Sequence, residues 1–131
     1  MKIDFYFSYR SPYSYLILPR VLDLKNNYKI DINFKLVYPL AIREPEFFKG
    51  KNFLTYFFYK IRDMRSVAKQ LDMSFFTPRP DPIKQSYLTG KIADEQPYIF
   101  DLCHIGQQAA QEGLGIEIAY ELSLLHIWAA D

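Results

Sequence analysis

The stretch Ile3-Asp4-Phe5-Tyr6-Phe7-Ser8-Tyr9-Arg10-Ser11-Pro12-Tyr13-Ser14-Tyr15-Leu16 decides how the rest of the chain is read. An apolar, aromatic run that closes on polar residues predicts a buried strand. Ser11 stands where a helix should begin, with Pro12 behind it. A serine hydroxyl accepts from an orphan amide of a first helical turn, and proline is tolerated at the first helical position because its missing N–H is not needed there. The outcome is a strand, a tight turn and a hydroxyl at the positive end of a helix, where an anion or a thiolate is stabilised. The same residues also suit a plain helix cap, and at this level both roles stand open for Ser11.

Working outward, the spacing predicts a first helix from Pro12 to about Lys25, with Tyr13, Leu16, Ile17, Val21 and Leu24 inward. Pro19 lies inside it and removes one backbone bond, which predicts a kink or a break. Asn26-Asn27 is the stop. Ile30 to Tyr38 then alternates, with Ile30, Ile32, Phe34 and Leu36 on one face and Asp31, Asn33 and Lys35 on the other, a second strand ended by Pro39. Strand, helix and strand make a βαβ unit, with a right-handed crossover and parallel strands as the default. Reactive groups of such units gather where the first strand feeds the helix, and Ser11 is at that place.

After Pro39 the sequence changes character. Arg43 to Asn52 reads as a polar linker or helical turn. From Phe53 a helical stripe follows: Phe53, Phe57, Ile61, Met64, Val67 or Ala68, and Leu71, the pattern of a core-facing helix. Lys60, Arg62, Arg65 and Lys69, interleaved with Asp63 and Asp72, read as its solvated face. Thr77-Pro78-Arg79-Pro80-Asp81-Pro82 is a stiff extended loop that presents Arg79 and Asp81, either as a ligand clamp or as a surface turn. A helix is predicted from Asp94 as N-cap, carrying Tyr98, Leu102, Ile105 and Ala109 inward and stopping at Gly113. A last helix follows from Ile116 to about Ala130, with Ile118, Leu122, Leu125 and Trp128 apolar.

Composition narrows the classes. The 131 residues are 50% hydrophobic and 24% charged, a globular balance near the usual single-domain size. A net charge of +1 gives no electrostatic case for nucleic acid or acidic partners. Aromatic residues make up 18% of the chain, more large apolar surface than a small domain hides, so some should line a cleft or an interface. The single cysteine, Cys103, forms no intramolecular disulfide and no paired-cysteine redox motif. Cys103, His104 and His126 do not have zinc spacing and read as packing residues. With no membrane span and no leader pattern, a reducing, cytoplasmic setting is the expectation. Two strands followed by about ninety residues of helix leave a sheet with both edges open. The expectation is a piece of a longer protein, or a subunit that completes its sheet with a partner.

The segment Asp4-Phe5-Tyr6-Phe7…Ser11-Pro12-Tyr13-Ser14-Tyr15-Leu16 resembles the opening of the 2-hydroxychromene-2-carboxylate isomerases and kappa-class glutathione transferases, in the DsbA-like branch of the thioredoxin fold. The likeness continues through Tyr59, Asp63 and Ala68 into Phe75-Phe76-Thr77-Pro78 and covers essentially the whole chain. It implies an α/β, thioredoxin-like βαβ half over residues 1–40 and an all-helical insertion over 41–131, with the family's closing strand-strand-helix half not in this chain. Further, it implies glutathione as cofactor, a small aromatic acid as substrate and a homodimer. Ser11 matches the family serine that hydrogen-bonds the glutathione sulfur. Pro12 and Tyr13 flank it, Asn52 is the match for a glutathione-contacting asparagine, and Arg43 and Arg79 are candidates for the substrate carboxylate. Ser14 falls where a redox relative has its second cysteine, so disulfide exchange is not available. Ser66 stands where many isomerases have an arginine. A free thiol has a pKa of roughly 8.5, so a hydroxyl donor at a helix N-terminus is what would raise the reactive thiolate fraction at neutral pH. The implied activity is a glutathione-dependent isomerisation. The alternatives are a kappa-type transferase that keeps the adduct, or a non-catalytic domain in which Ser11 is only a cap.

Overall fold

The computed structural model of the protein describes residues 1–128. Strand β1 (Lys2–Phe7) passes through a turn at Tyr9 and Arg10 into helix α1 (Pro12–Asn26), and strand β2 (Asp31–Leu36) returns beside β1. The two strands pair in parallel, from Lys2 opposite Asp31 to Phe7 opposite Leu36. The described residues thus form a mixed α/β fold with a two-stranded parallel sheet and several helices.

Because side chains alternate along a strand, this register puts Ile3, Phe5 and Phe7 on one face with Ile32, Phe34 and Leu36. The opposite face carries Asp4 and Tyr6 with Asn33 and Lys35, and it is wet. Lys35 Nζ and Asn33 Nδ2 both donate to the Asp4 carboxylate, at 2.7 and 2.8 Å. Tyr6 is 59% exposed. β1 is therefore half-buried rather than buried throughout, because only one side of the sheet has an apolar layer to meet. On that side Phe7 is fully buried, edge-on to Tyr9 with ring centroids 5.1 Å apart. Side chains of this size contribute about 1.5–3 kcal/mol each when removed from water.

Helix α1 runs through Pro19 without a break. One lost backbone bond is offset by the buried face on both sides of it, Tyr15, Leu16, Leu18 and Val21. That face differs from the one expected: Tyr13 and Ile17 are exposed. Asn27 caps the helix end, its amide donating to the Asp23 carbonyl at 2.9 Å.

The segment after Pro39 forms the short helix α2 (Leu40–Arg43) and a 3₁₀ turn (Pro45–Phe48) before helix α3 (Phe53–Gln70). Helix α4 (Ile99–Gln111) begins later than the Asp94 cap predicts. The Gln96 amide is the reason. Its Nε2 donates to the carbonyls of Lys84 and Ala93 while its Oε1 accepts from the Lys84 amide, which ties residues 94–98 to the preceding loop. The buried face of α4 is Ile99, Cys103, Gly106 and Ala109, whereas Tyr98 and Ile105 are exposed. This rotation follows from Gly106, where an added Cβ would come within 2.6 Å of the fully buried Tyr9 hydroxyl. Only a glycine lets α4 approach so closely. Gly113, at φ +77°, closes α4: its amide bonds the Ala110 carbonyl, and the Leu114 amide reaches back to Ala109.

Helix α5 (Gly115–Leu122) also ends earlier than predicted and passes into a π-helical turn (Ser123–Ile127). The wider turn shifts the phase, so Leu125 is exposed while Ile127 and Trp128 are buried. The predicted end of this helix at Ala129–Ala130 lies outside the described residues. Buried residues from β1, α1, α3, α4, α5 and the π turn form one cluster, in which Trp128 stacks on Phe75 with ring planes 14° apart. No helix among the described residues is long and apolar enough to cross a membrane.

Candidate functional site

Ser11 is the N-cap of α1. Its extended backbone (φ −98°, ψ 108°) lets the Oγ accept from the Ser14 amide at 3.3 Å, while its own amide donates to the Ser8 carbonyl at 3.0 Å. Pro12 occupies the first helical turn, and that turn holds no acidic residue to cancel the positive pole. A hydroxyl carries one donor hydrogen and two acceptor lone pairs. Capping uses one lone pair, and among the described residues the Ser11 hydrogen is donated to no protein acceptor.

This end of α1 opens into a cleft of about 400 Å³. Ser8, Ser11, Pro12, Tyr13 and Ser14 form its floor. One face of α3 forms a wall: Phe53, Tyr56, Phe57, Lys60, Ile61 and Met64, spaced by three and four residues. The stripe read in the sequence as core therefore has a second task, because Phe57 and Ile61 are only partly buried. The other side is closed by α2, by Thr77 and Pro78 of the proline loop, and by Tyr87 and Trp128. The aromatic excess of the sequence thus does line a cleft. Two polar atoms of its lining residues, Ser8 Oγ and Trp128 Nε1, are buried and have no hydrogen-bond partner among the described residues. Unpaired buried polar atoms also occur away from the cleft, at Tyr9, Gln85, Glu117 and Ser123, so they do not by themselves mark it as a polar-ligand site.

Three cations and one carboxylate line the cleft: Arg10, Arg43 and Lys60 against Asp81. Arg10 and Asp81 neutralise each other in a two-pronged ion pair, Nε to Oδ1 at 2.8 Å and Nη2 to Oδ2 at 2.9 Å. Asp81 also accepts from the Ile83 amide at 3.0 Å and from the Tyr87 hydroxyl at 3.1 Å. Asp81 therefore serves to strap the proline loop to the turn before Ser11. Arg43 is exposed at the rim with Nε donating to the Tyr38 carbonyl at 2.8 Å. Lys60 Nζ lies 4.9 Å from the ring centre of Tyr13 and 5.7 Å from that of Tyr56. The Tyr13 hydroxyl donates to Asp63 of α3. Local desolvation of the hydroxyl, on a ring that is otherwise exposed, and the Asp63 carboxylate that it bonds push the Tyr13 phenol up to about 12, so it stays protonated at neutral pH.

The structure thus brings together Ser11, Pro12, Tyr13 and Arg43, and it separates two other candidates from them. Asn52 lies outside the cleft lining. It is the N-cap of α3, its Oδ1 accepting from the Thr55 amide at 3.0 Å. Arg79 is exposed on the proline loop and does not line the cleft either, whereas Thr77, Pro78 and Asp81 of that loop do. Ser66 is exposed on α3. Sequence reasoning missed the Arg10–Asp81 strap, the inward turn of Lys60, and Trp128. Only Lys60 left a signal, one turn before Met64 on the apolar stripe of α3. Cys103 is buried in α4, its thiol pushed up to about 11 by burial, which makes it inert packing. Among the described residues no three histidine, cysteine or acidic side chains gather as metal ligands.

Comparison of the chain with protein-family models, with curated proteins and with solved structures found no match.

Proposed function

We propose that the βαβ unit is of the thioredoxin-like, DsbA-like kind and that its cleft carries out a glutathione-dependent isomerisation of small aromatic acids of the 2-hydroxychromene-2-carboxylate type. The observation that carries this reading is Ser11: a hydroxyl whose hydrogen meets no acceptor among the described residues, at the N-terminus of a helix with no acidic residue in its first turn, on the floor of an aromatic cleft. Both features favour an anionic sulfur, and each unit of thiol pKa lowered corresponds to about 1.4 kcal/mol.

The chemistry then follows. The glutathione thiolate adds to a conjugated carbon of the substrate, forming a C–S bond while the π electrons move toward the carbonyl oxygen. The former double bond is now single and rotates. Return of the electrons expels the thiolate with its original charge, so glutathione is not consumed. Ser11 donates its hydrogen to the sulfur before addition and after expulsion, and the walls of Phe53, Phe57 and Met64 hold the planar ring. Ser14 gives the site no second thiol, so no disulfide forms in the cycle.

Calorimetric titration with glutathione, paired with turnover of 2-hydroxychromene-2-carboxylate with and without it, tests this reading. Saturable binding and glutathione-dependent turnover, both reduced at least tenfold by Ser11→Ala, are expected. Absence of glutathione binding, or an unchanged Ser11→Ala variant, refutes it. Accumulation of a stable thioether assigns a transferase instead.

A further inference from the structure

The proposed reaction needs a residue that recognises the acid group of the substrate, and neither arginine read from the sequence fills that role. Arg79 is outside the cleft, and Arg43 stands at the exposed rim, where its Nε is spent on the Tyr38 carbonyl and water screens the donors it has left. Arg10 lines the cleft, but its guanidinium is paired on two nitrogens with Asp81. That leaves Lys60. Its ammonium sits against the rings of Tyr13 and Tyr56, at 4.9 and 5.7 Å from their centres. Among the described residues no carboxylate lies within ion-pair distance of it. The carboxylate one helical turn further along, Asp63, is engaged by the Tyr13 hydroxyl. This bond also fixes the Tyr13 ring beneath the ammonium.

We propose that Lys60, held over Tyr13 and Tyr56, selects a planar aromatic ligand that carries a carboxylate, so that the cleft discriminates aromatic acids from their neutral analogues. The two tyrosine faces hold the cation at a fixed height on the wall without neutralising its charge, since a ring quadrupole attracts a cation but supplies no counter-ion. The same helix face presents Phe57, Ile61 and Met64, which gives the ligand's ring an apolar bed beside the charge. A ligand with both features meets both parts of the wall; a neutral one leaves the ammonium without an anion in a partly dry site. The cleft volume of about 400 Å³ is at the lower end for small-molecule pockets and suits one bicyclic or phenylpropenoid acid.

This inference rests on the cleft being the acceptor-substrate site of the proposed reaction, but its test does not require glutathione. The matched probes are cinnamate and cinnamamide, equal in shape and different in charge, titrated by calorimetry into the protein alone. Cinnamate is expected to bind at least tenfold more tightly than cinnamamide. Lys60→Gln should remove that preference while leaving cinnamamide affinity within twofold, Lys60→Arg should keep it, and Arg43→Gln should leave it in place. Equal affinity for the two probes, no binding of either, or a preference that survives Lys60→Gln and vanishes with Arg43→Gln overturns the proposal. A preserved preference in a protein that binds no glutathione would sink the isomerase reading and leave Lys60's role standing.

Discussion

The Arg10–Asp81 pair is a long-range tie between the turn that presents Ser11 and the proline loop, and its strength can be worked from the structure. Both side chains are mostly shielded, at 18% and 17% exposure, and share two short charge-assisted bonds. Asp81→Ala removes these and leaves the Ile83 amide and the Tyr87 hydroxyl without their acceptor. Breaking a fully buried pair from one side costs about 3–5 kcal/mol, and partial exposure places this one near the lower end, at about 3 kcal/mol. Arg10→Met keeps the aliphatic stem and leaves Asp81 two partners, so about 1–2 kcal/mol is expected. The double variant should show a coupling of about 1.5 kcal/mol. Urea unfolding followed by far-ultraviolet circular dichroism measures all three, with midpoints that shift and slopes that do not. Raising salt from about 0.1 to 1 M should change the coupling little, in contrast to a surface pair. A coupling within about 0.3 kcal/mol of zero, or an Asp81→Ala loss below about 0.5 kcal/mol, would refute the strap.

Other consequences are equally direct. Gly106→Ala should destabilise the protein by about 1–3 kcal/mol, since its methyl meets the Tyr9 hydroxyl at 2.6 Å and Tyr9 is fully enclosed; a neutral melting shift would contradict the close approach of α4. Asn52→Ala should cost about 1 kcal/mol as a lost cap and leave ligand affinity as it was, whereas a drop in glutathione affinity would restore it as a contact residue. Stability should fall as pH rises from about 9 toward 12. Cys103 is raised from 9.0 to about 11 and Tyr9 from 10.0 to about 12, both chiefly by burial. The unfolded chain therefore loses these protons first, so their contribution is whole below pH 9 and lost as the folded values are passed. Equilibrium unfolding across that range checks the sign. Cys103 in the folded protein should also react with a disulfide reagent far more slowly than in urea, and equal rates would show that it is not enclosed.

The sequence made the βαβ start legible because its signals are local. A serine-proline step starts α1, Asn27 stops it, and strict alternation in β2 assigns each side chain to a face; the structure follows all three. Asn52, which the resemblance matches to a ligand contact, caps α3 through the Thr55 amide three residues on, a relation just as local. What stayed hidden depends on partners distant in sequence. The late start of α4 comes from one glutamine amide bonding Lys84, twelve residues earlier, and its rotation comes from Tyr9 meeting Gly106. The pairing of Arg10 with Asp81 spans 71 positions and leaves no periodic trace. The stripe of α3 shows a third limit, since apolar spacing marks a face that leaves water without saying whether protein or ligand covers it.

In the proposed reaction Ser11 and the N-terminus of α1 hold a thiolate. The pKa of glutathione bound to the protein tests it most directly, read from the cysteine Cβ chemical shift of ¹³C-labelled glutathione between about pH 5 and 9 and set against the free value of roughly 8.5. A bound value at least about one unit lower is expected, with a return most of the way to the free value in Ser11→Ala, even though that variant remains folded. A bound thiol that titrates like free glutathione, or one whose shift is indifferent to Ser11→Ala, would contradict it.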